Sequence, residues 1–178
     1  MRLYILAALA VVTACSRSRS RTAPAPAQPT TSARAVLRLG DGREVGAATL
    51  QATPAGVLVT ADLSGLPAGT HAMHFHTVGT CTGPDFASAG GHFNPATRSH
   101  GFRNAAGPHA GDLPNIHVPE SGALRVEVVS TAASLGPGQG TLGDADGSAI
   151  VIHALADDYQ TDPAGASGAR IACGVIER

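Results

Sequence analysis

Apolar and polar residues alternate with a period of two along much of this chain, the pattern of strands covered on one face. Val36-Leu37-Arg38-Leu39 and the stretch Val45 to Gln51 flank Gly40-Asp41-Gly42-Arg43, whose Asp-Gly pair supplies the turn chemistry of a hairpin. Val57 to Leu63 predicts a third strand. Met73 to Thr77, Ala123 to Val129, Ser148 to Ala154 and Ile171 to Ile176 predict further ones. No long stretch has helical apolar spacing, so the expected fold is all-β: a Greek-key antiparallel β-sandwich or barrel of about eight strands. The segment from Val78 to Val118 is longer than ordinary connections, and a loop of that length requires a functional or stabilising explanation.

Composition places this fold in one domain with appendages. At 178 residues and 43% hydrophobic content there is enough apolar surface for a core despite the absence of Trp, and Gly 22 with Pro 12 suits a turn-rich all-β chain. Near the N-terminus, Arg2, the apolar run Leu3 to Val12 and then Thr13-Ala14-Cys15 read as a signal-peptide core too short to span a membrane. Small residues before a cysteine resemble the lipobox of bacterial lipoproteins. That implies cleavage before Cys15, lipid on that cysteine, and a membrane-anchored protein at the periplasmic or cell-surface side. An ordinary cleaved signal is the alternative. Residues 16 to 34 lack apolar periodicity and read as a tether, which divides the chain into a signal peptide (1–14), lipidated Cys15 with tether (15–34) and a folded domain (35–178). Arg17, Arg19 and Arg21 suit either contact with anionic lipid or a soluble spacer. With Arg2 and Arg34 also outside the domain, 7 Arg face 13 Asp and Glu within it, a formal charge of −6. An acidic folded domain argues against nucleic acid as a partner.

Candidate chemistry is concentrated in histidines. His74-Phe75-His76 places two imidazoles on one face of a strand. Gly90-Gly91-His92-Phe93-Asn94-Pro95, then His100, His109 and Asp112, adds nitrogen and oxygen ligands on the long loop. His153 ends the apolar run Ala149-Ile150-Val151-Ile152, and Arg170 lies near the C-terminus. Together these residues read as a binuclear copper and zinc site. Each short motif alone is weak, but the set in this order is specific.

Over residues 35 to 178 the chain resembles the copper,zinc superoxide dismutases, of the bacterial exported type. The stretch Gly168-Ala169-Arg170-Ile171-Ala172-Cys173-Gly174-Val175-Ile176 resembles the family's C-terminal signature. The resemblance implies one copper per chain on His74, His76, His92 and His153, and one zinc per chain on His92, His100, His109 and Asp112. His92 is then the bridging imidazolate and carries the proton, and Arg170 binds the substrate anion. It also implies an intrachain disulfide between Cys81 and Cys173, for which two buried free thiols are the alternative. Asp157 is implied as the link orienting ligand histidines, or else is a solvated loop acid beside Asp158. The implied activity is dismutation of superoxide to dioxygen and hydrogen peroxide in antioxidant defence.

The sequence departs from many relatives in having no lysine and a compact stretch from Asp157 to Ala169, so local attraction of the anion falls to Arg170 and the metals. A rate that falls modestly with ionic strength is expected. A homodimer remains an open expectation, because dimer surfaces differ between family branches. His71 and His117 are expected to be structural or exposed. The alternative functions are a copper-binding or copper-buffering lipoprotein with little turnover and, more distantly, an extracytoplasmic adhesion or scaffold module.

Overall fold

Ala33, Ala35 and Leu37 are buried while the residues between them are more exposed, as alternation along a half-covered strand requires. They lie in β1 (Ser32–Leu39) of a computed structural model that describes residues 31–178. After it come β2 (Glu44–Thr53), β3 (Gly56–Leu63), β4 (Gly69–His71), β5 (Met73–His76), β6 (Ile116–Val118), β7 (Leu124–Ser130), β8 (Ala149–His153) and β9 (Arg170–Val175). The signal peptide, Cys15 and the tether through residue 30 lie outside the described residues. Ser32, Ala33 and Arg34, expected in the tether, instead begin β1. Ser32 pairs with Gln51 of β2, Ala33 is buried, and Arg34 exchanges backbone hydrogen bonds of 2.8 Å with Glu177. The physical reason is that β2 runs on to Thr53, so its open edge finds partners three residues further back than the apolar pattern starts.

Seven strands form one antiparallel sheet in the order β5-β8-β9-β1-β2-β3-β7. The last strand lies beside the first, a Greek-key return, so the expected all-β architecture is observed. A separate ribbon of β4 and β6 has no counterpart in the sequence pattern, because three-residue strands carry no readable alternation. It stands near the sheet's open side, since β4 leads into β5 through Ala72 alone and β6 packs beside β7. One core fills the interior with Leu37, Leu50, Met73, Phe75, Ile150 and Ile152 among its fully covered side chains. Each large apolar side chain so covered contributes about 1.5–3 kcal/mol of transfer free energy.

Strands β5 and β8 are buried on both faces. Met73 and Phe75 face the core opposite Ile152 and Ile150. On the reverse face Ala149, Val151 and Cys173 pack with Phe86 and Ala89 from the long loop, which is fastened there by the Cys81–Cys173 disulfide. That disulfide, expected from the family resemblance, is present with its Cα atoms 5.7 Å apart. The same reverse face carries His74 and His76. The loop also pairs with the free edge of β5: Phe93 N and Gly111 N bond to Phe75 O and Phe93 O at 2.8 Å each, and Phe75 N to Gly111 O at 2.9 Å. An exposed edge strand would otherwise present unpaired backbone groups.

Candidate metal centre

Isolated bridges pair His76 with His92 and His74 with Asp112, so the ladder along β5 delivers loop ligands beside strand ligands. Gly111 makes this approach possible, because a Cβ there would collide with Phe75 O. His153 ends β8 at a register shift against β9, where it pairs with Arg170. An irregularity of this kind re-aims side chains at a sheet's rim.

Where one nitrogen of a ring meets a carbonyl or carboxylate oxygen, that nitrogen carries the proton, since these oxygens only accept. His74 Nε2 donates to Asp157 Oδ2 at 2.8 Å, which leaves Nδ1 with a lone pair. His76 Nδ1 donates to Gly90 O at 3.0 Å, and its Nε2 faces His153 Nε2 at 3.4 Å. On its far side His153 meets Ser167 Oγ at 3.0 Å and Gly168 O at 3.3 Å through Nδ1. His74 Nδ1 and His92 Nε2 are two of three buried side-chain polar atoms among the described residues without a hydrogen-bond partner. One ring nitrogen from each of His74, His76, His92 and His153 lies within 4.8 Å of the other three. Four imidazole lone pairs converging without protons between them constitute a cation site, and four nitrogens suit Cu(II).

His92 also belongs to a second group with His100, His109 and Asp112. Asp112 Oδ1 is approached by His92 Nδ1 at 3.0 Å, His100 Nδ1 at 3.1 Å and His109 Nδ1 at 3.3 Å. Its Oδ2 accepts from Gly101 N at 2.8 Å and His109 N at 3.0 Å. Three nitrogens and one oxygen from a buried set fit a tetrahedral, closed zinc site. Asp157 joins the two groups: Oδ1 accepts from His100 Nε2 at 2.9 Å while Oδ2 holds His74. A third group, His74 with His100 and Asp157, is this hydrogen-bonded link itself.

Protonation follows from burial and partners. Burial first, then neighbouring positive charge, lowers His76 to about 2, His153 to about 3 and His92 to about 4, so these rings keep lone pairs at neutral pH. Burial also acts to lower His100, but hydrogen bonds to Asp112 and Asp157 and their charges outweigh it and hold it at about 9. The two aspartates lie well below the usual carboxylate range, because the histidine hydrogen bonds outweigh the burial that would raise them.

Arg170 Nη1 and Nη2 donate to Phe86 O at 2.6 Å and Gly90 O at 2.7 Å, which seats the guanidinium between the disulfide loop and the histidines. The structure thus brings every candidate from His74 to Arg170 to one place. His71 is buried, bonded to His153 O and Pro67 O, while His117 is exposed and contacts Thr70 Oγ1. Several contributors have no signal in the sequence. Asp162 accepts from His100 N and lies 3.9 Å from His109 Nε2. Asn115 clasps the Asp157 backbone through bonds of 2.9 and 2.8 Å. Gly165 lies so close to Asp157 that a Cβ would collide with its carboxylate. None sits in a readable motif, because each acts across 40 or more residues or through lack of a side chain.

The family described as copper/zinc superoxide dismutase (SODC) matches residues 44–176. The chain is 49% identical over 149 residues to a Cu-Zn superoxide dismutase of Caulobacter vibrioides, covering 82% of this chain and 86% of that one. It is 47% identical over 138 residues to Cu-Zn superoxide dismutase 1 of Aquifex aeolicus, covering 76% and 82%. Among solved structures it is similar to a mutant of a SOD-like protein from Bacillus subtilis, with a TM-score of 0.79, 40% identity, and coverage of 82% of this chain and 97% of that one.

Proposed function

Because the chain belongs to the copper/zinc superoxide dismutase family, we propose that His74, His76, His92 and His153 hold its copper, that His92, His100, His109 and Asp112 hold its zinc, and that Arg170 receives the substrate anion. The enzyme is a superoxide dismutase: two superoxide anions and two protons become dioxygen and hydrogen peroxide, with copper and zinc as cofactors. The observation that carries the assignment is the pair of buried, partnerless nitrogens, His74 Nδ1 and His92 Nε2, on rings whose other nitrogens are committed. Bound there, copper supplies one-electron transfer in both directions, whereas zinc is redox-inert.

The protein's residues supply the rest. Arg170 keeps a permanent charge and spends one donor on each of two carbonyls, which leaves further N–H groups for a small anion. His92 offers two ring nitrogens to two different groups, so Nε2 can hold a proton and pass it to the forming peroxide while Nδ1 remains with Asp112. Asp157 keeps His74 and His100 from rotating. Measuring copper and zinc on the same preparation as superoxide consumption tests this reading. One of each per chain and fast turnover are expected, with both copper and turnover lost in His153→Ala. Bound copper without turnover would instead favour the copper-buffering alternative.

The disulfide accords with an exported protein, since such bonds persist in oxidising compartments. Lipidation at Cys15 and anchoring at the periplasmic or cell surface rest on the apolar run and the small residues before that cysteine. Labelled palmitate should enter the wild type and not Cys15→Ser, which should also leave the membrane fraction. A homodimer rests on family resemblance alone, and a monomer in sedimentation velocity would remove it.

A further inference from the structure

Beside the histidines opens a pocket of about 660 Å3. Gly90 and Gly168, whose carbonyls engage His76 and His153, lie in its wall together with Arg170, which makes it the route we assign to a small anion approaching the cluster. Its lining carries two charged side chains, Arg170 and Asp85. The second is a carboxylate at the entrance for an anion. Asp85 forms no ion pair within 4.0 Å with any described residue, yet its charge is felt at the Arg170 guanidinium. It is exposed, so nothing removes its field from the approach path.

Asp85 also has a structural task. Its Oδ1 accepts from Ala87 N at 3.0 Å and starts the short turn Ala87–Ala89. That turn follows Phe86, whose carbonyl accepts from Arg170. The hydrogen bond needs an oxygen; it does not need a charge.

We propose that Asp85 limits substrate entry. Its negative charge offsets the local attraction of Arg170, in a chain with no lysine to restore it, so capture of superoxide is slower than the site geometry permits. The proposal rests on Arg170 being the anion-receiving residue.

The test compares second-order rates of superoxide consumption by metal-loaded protein across ionic strength. Asp85→Asn keeps the acceptor and removes the charge. It should react about two- to threefold faster at low salt, fall more steeply with salt, and converge on the wild type above physiological ionic strength. Asp85→Ser, which also keeps an acceptor, should behave alike. Metal content should not change, which a merely structural role would not guarantee. Glu127→Gln makes the same net-charge change on β7, at the opposite edge of the sheet, and should leave the rate alone. Equal rates for wild type and both Asp85 variants, or an equal gain in Glu127→Gln, would overturn the proposal. Arg170→Gln separates the two claims. A slow Arg170→Gln with unaltered Asp85 variants sinks the Asp85 proposal alone, whereas an Arg170→Gln as fast as wild type removes the premise and the proposal together.

Discussion

Asp157 makes two candidate metal groups depend on one side chain. Both oxygens are committed to buried rings, and its backbone is clasped by Asn115, so its position is set from two sides. In Asp157→Asn one oxygen becomes an NH2, which meets an N–H donor on either His74 or His100. Metal affinity should fall about 10- to 100-fold, measured by chelator competition, while the secondary structure stays intact. The same residues set a pH profile for the metal-free protein. His76, His92 and His153 have folded pKa values of about 2, 4 and 3, below their ordinary 6.5. The unfolded chain therefore binds more protons below pH 6.5, and stability drops as pH falls through that range. His100, raised to about 9, contributes stability that is full below 6.5 and lost as pH rises through 9. Thermal melts of the metal-free protein should thus peak near pH 6.5 and decline on both sides. A melting temperature that rises steadily to pH 9 would contradict the His100 environment.

At the scale of elements, the long loop is held to β5 by backbone pairing and to β9 by the disulfide, and each attachment has a separate consequence. Gly111→Ala would push a methyl against Phe75 O and Phe93 N. It should destabilise by about 1–3 kcal/mol and loosen zinc before copper, as calorimetry with metal analysis would show. Replacing Cys81 and Cys173 with serine opens a closure of 92 residues and should cost about 4–5 kcal/mol on the chain-entropy account. The loop also carries Phe86 O, an acceptor for Arg170, so the double variant should lose rate even with copper bound. Strands with five or more alternating positions are legible in the sequence, as β2 and β3 illustrate. The ribbon of β4 and β6 is not, because its pairing of Gly69 with Val118 joins segments 49 residues apart that are each too short to show a period. The start of β1 is hidden because Ser32 and Arg34 are exposed and look like tether, although Ala33 between them is buried.

For the molecule as a whole, folding and metal binding should be coupled. The cluster gathers lone pairs that are unfavourable together without cations, and binding to the folded state alone stabilises it by mass action. Each metal held at a thousandfold excess over its Kd adds about 4 kcal/mol, so removing both with a chelator should lower the melting temperature by about 20 °C. By itself the sequence determined the all-β class and the candidate ligand inventory, because alternation and the order of histidines are local facts along the chain. Tertiary structure alone decided which ring nitrogens face inward, that Asp157 spans from His74 to His100, and that Asp85 lines one pocket with Arg170. Those relations join residues 26 to 85 positions apart through a folded sheet and its covering loop, and no local pattern encodes such distances.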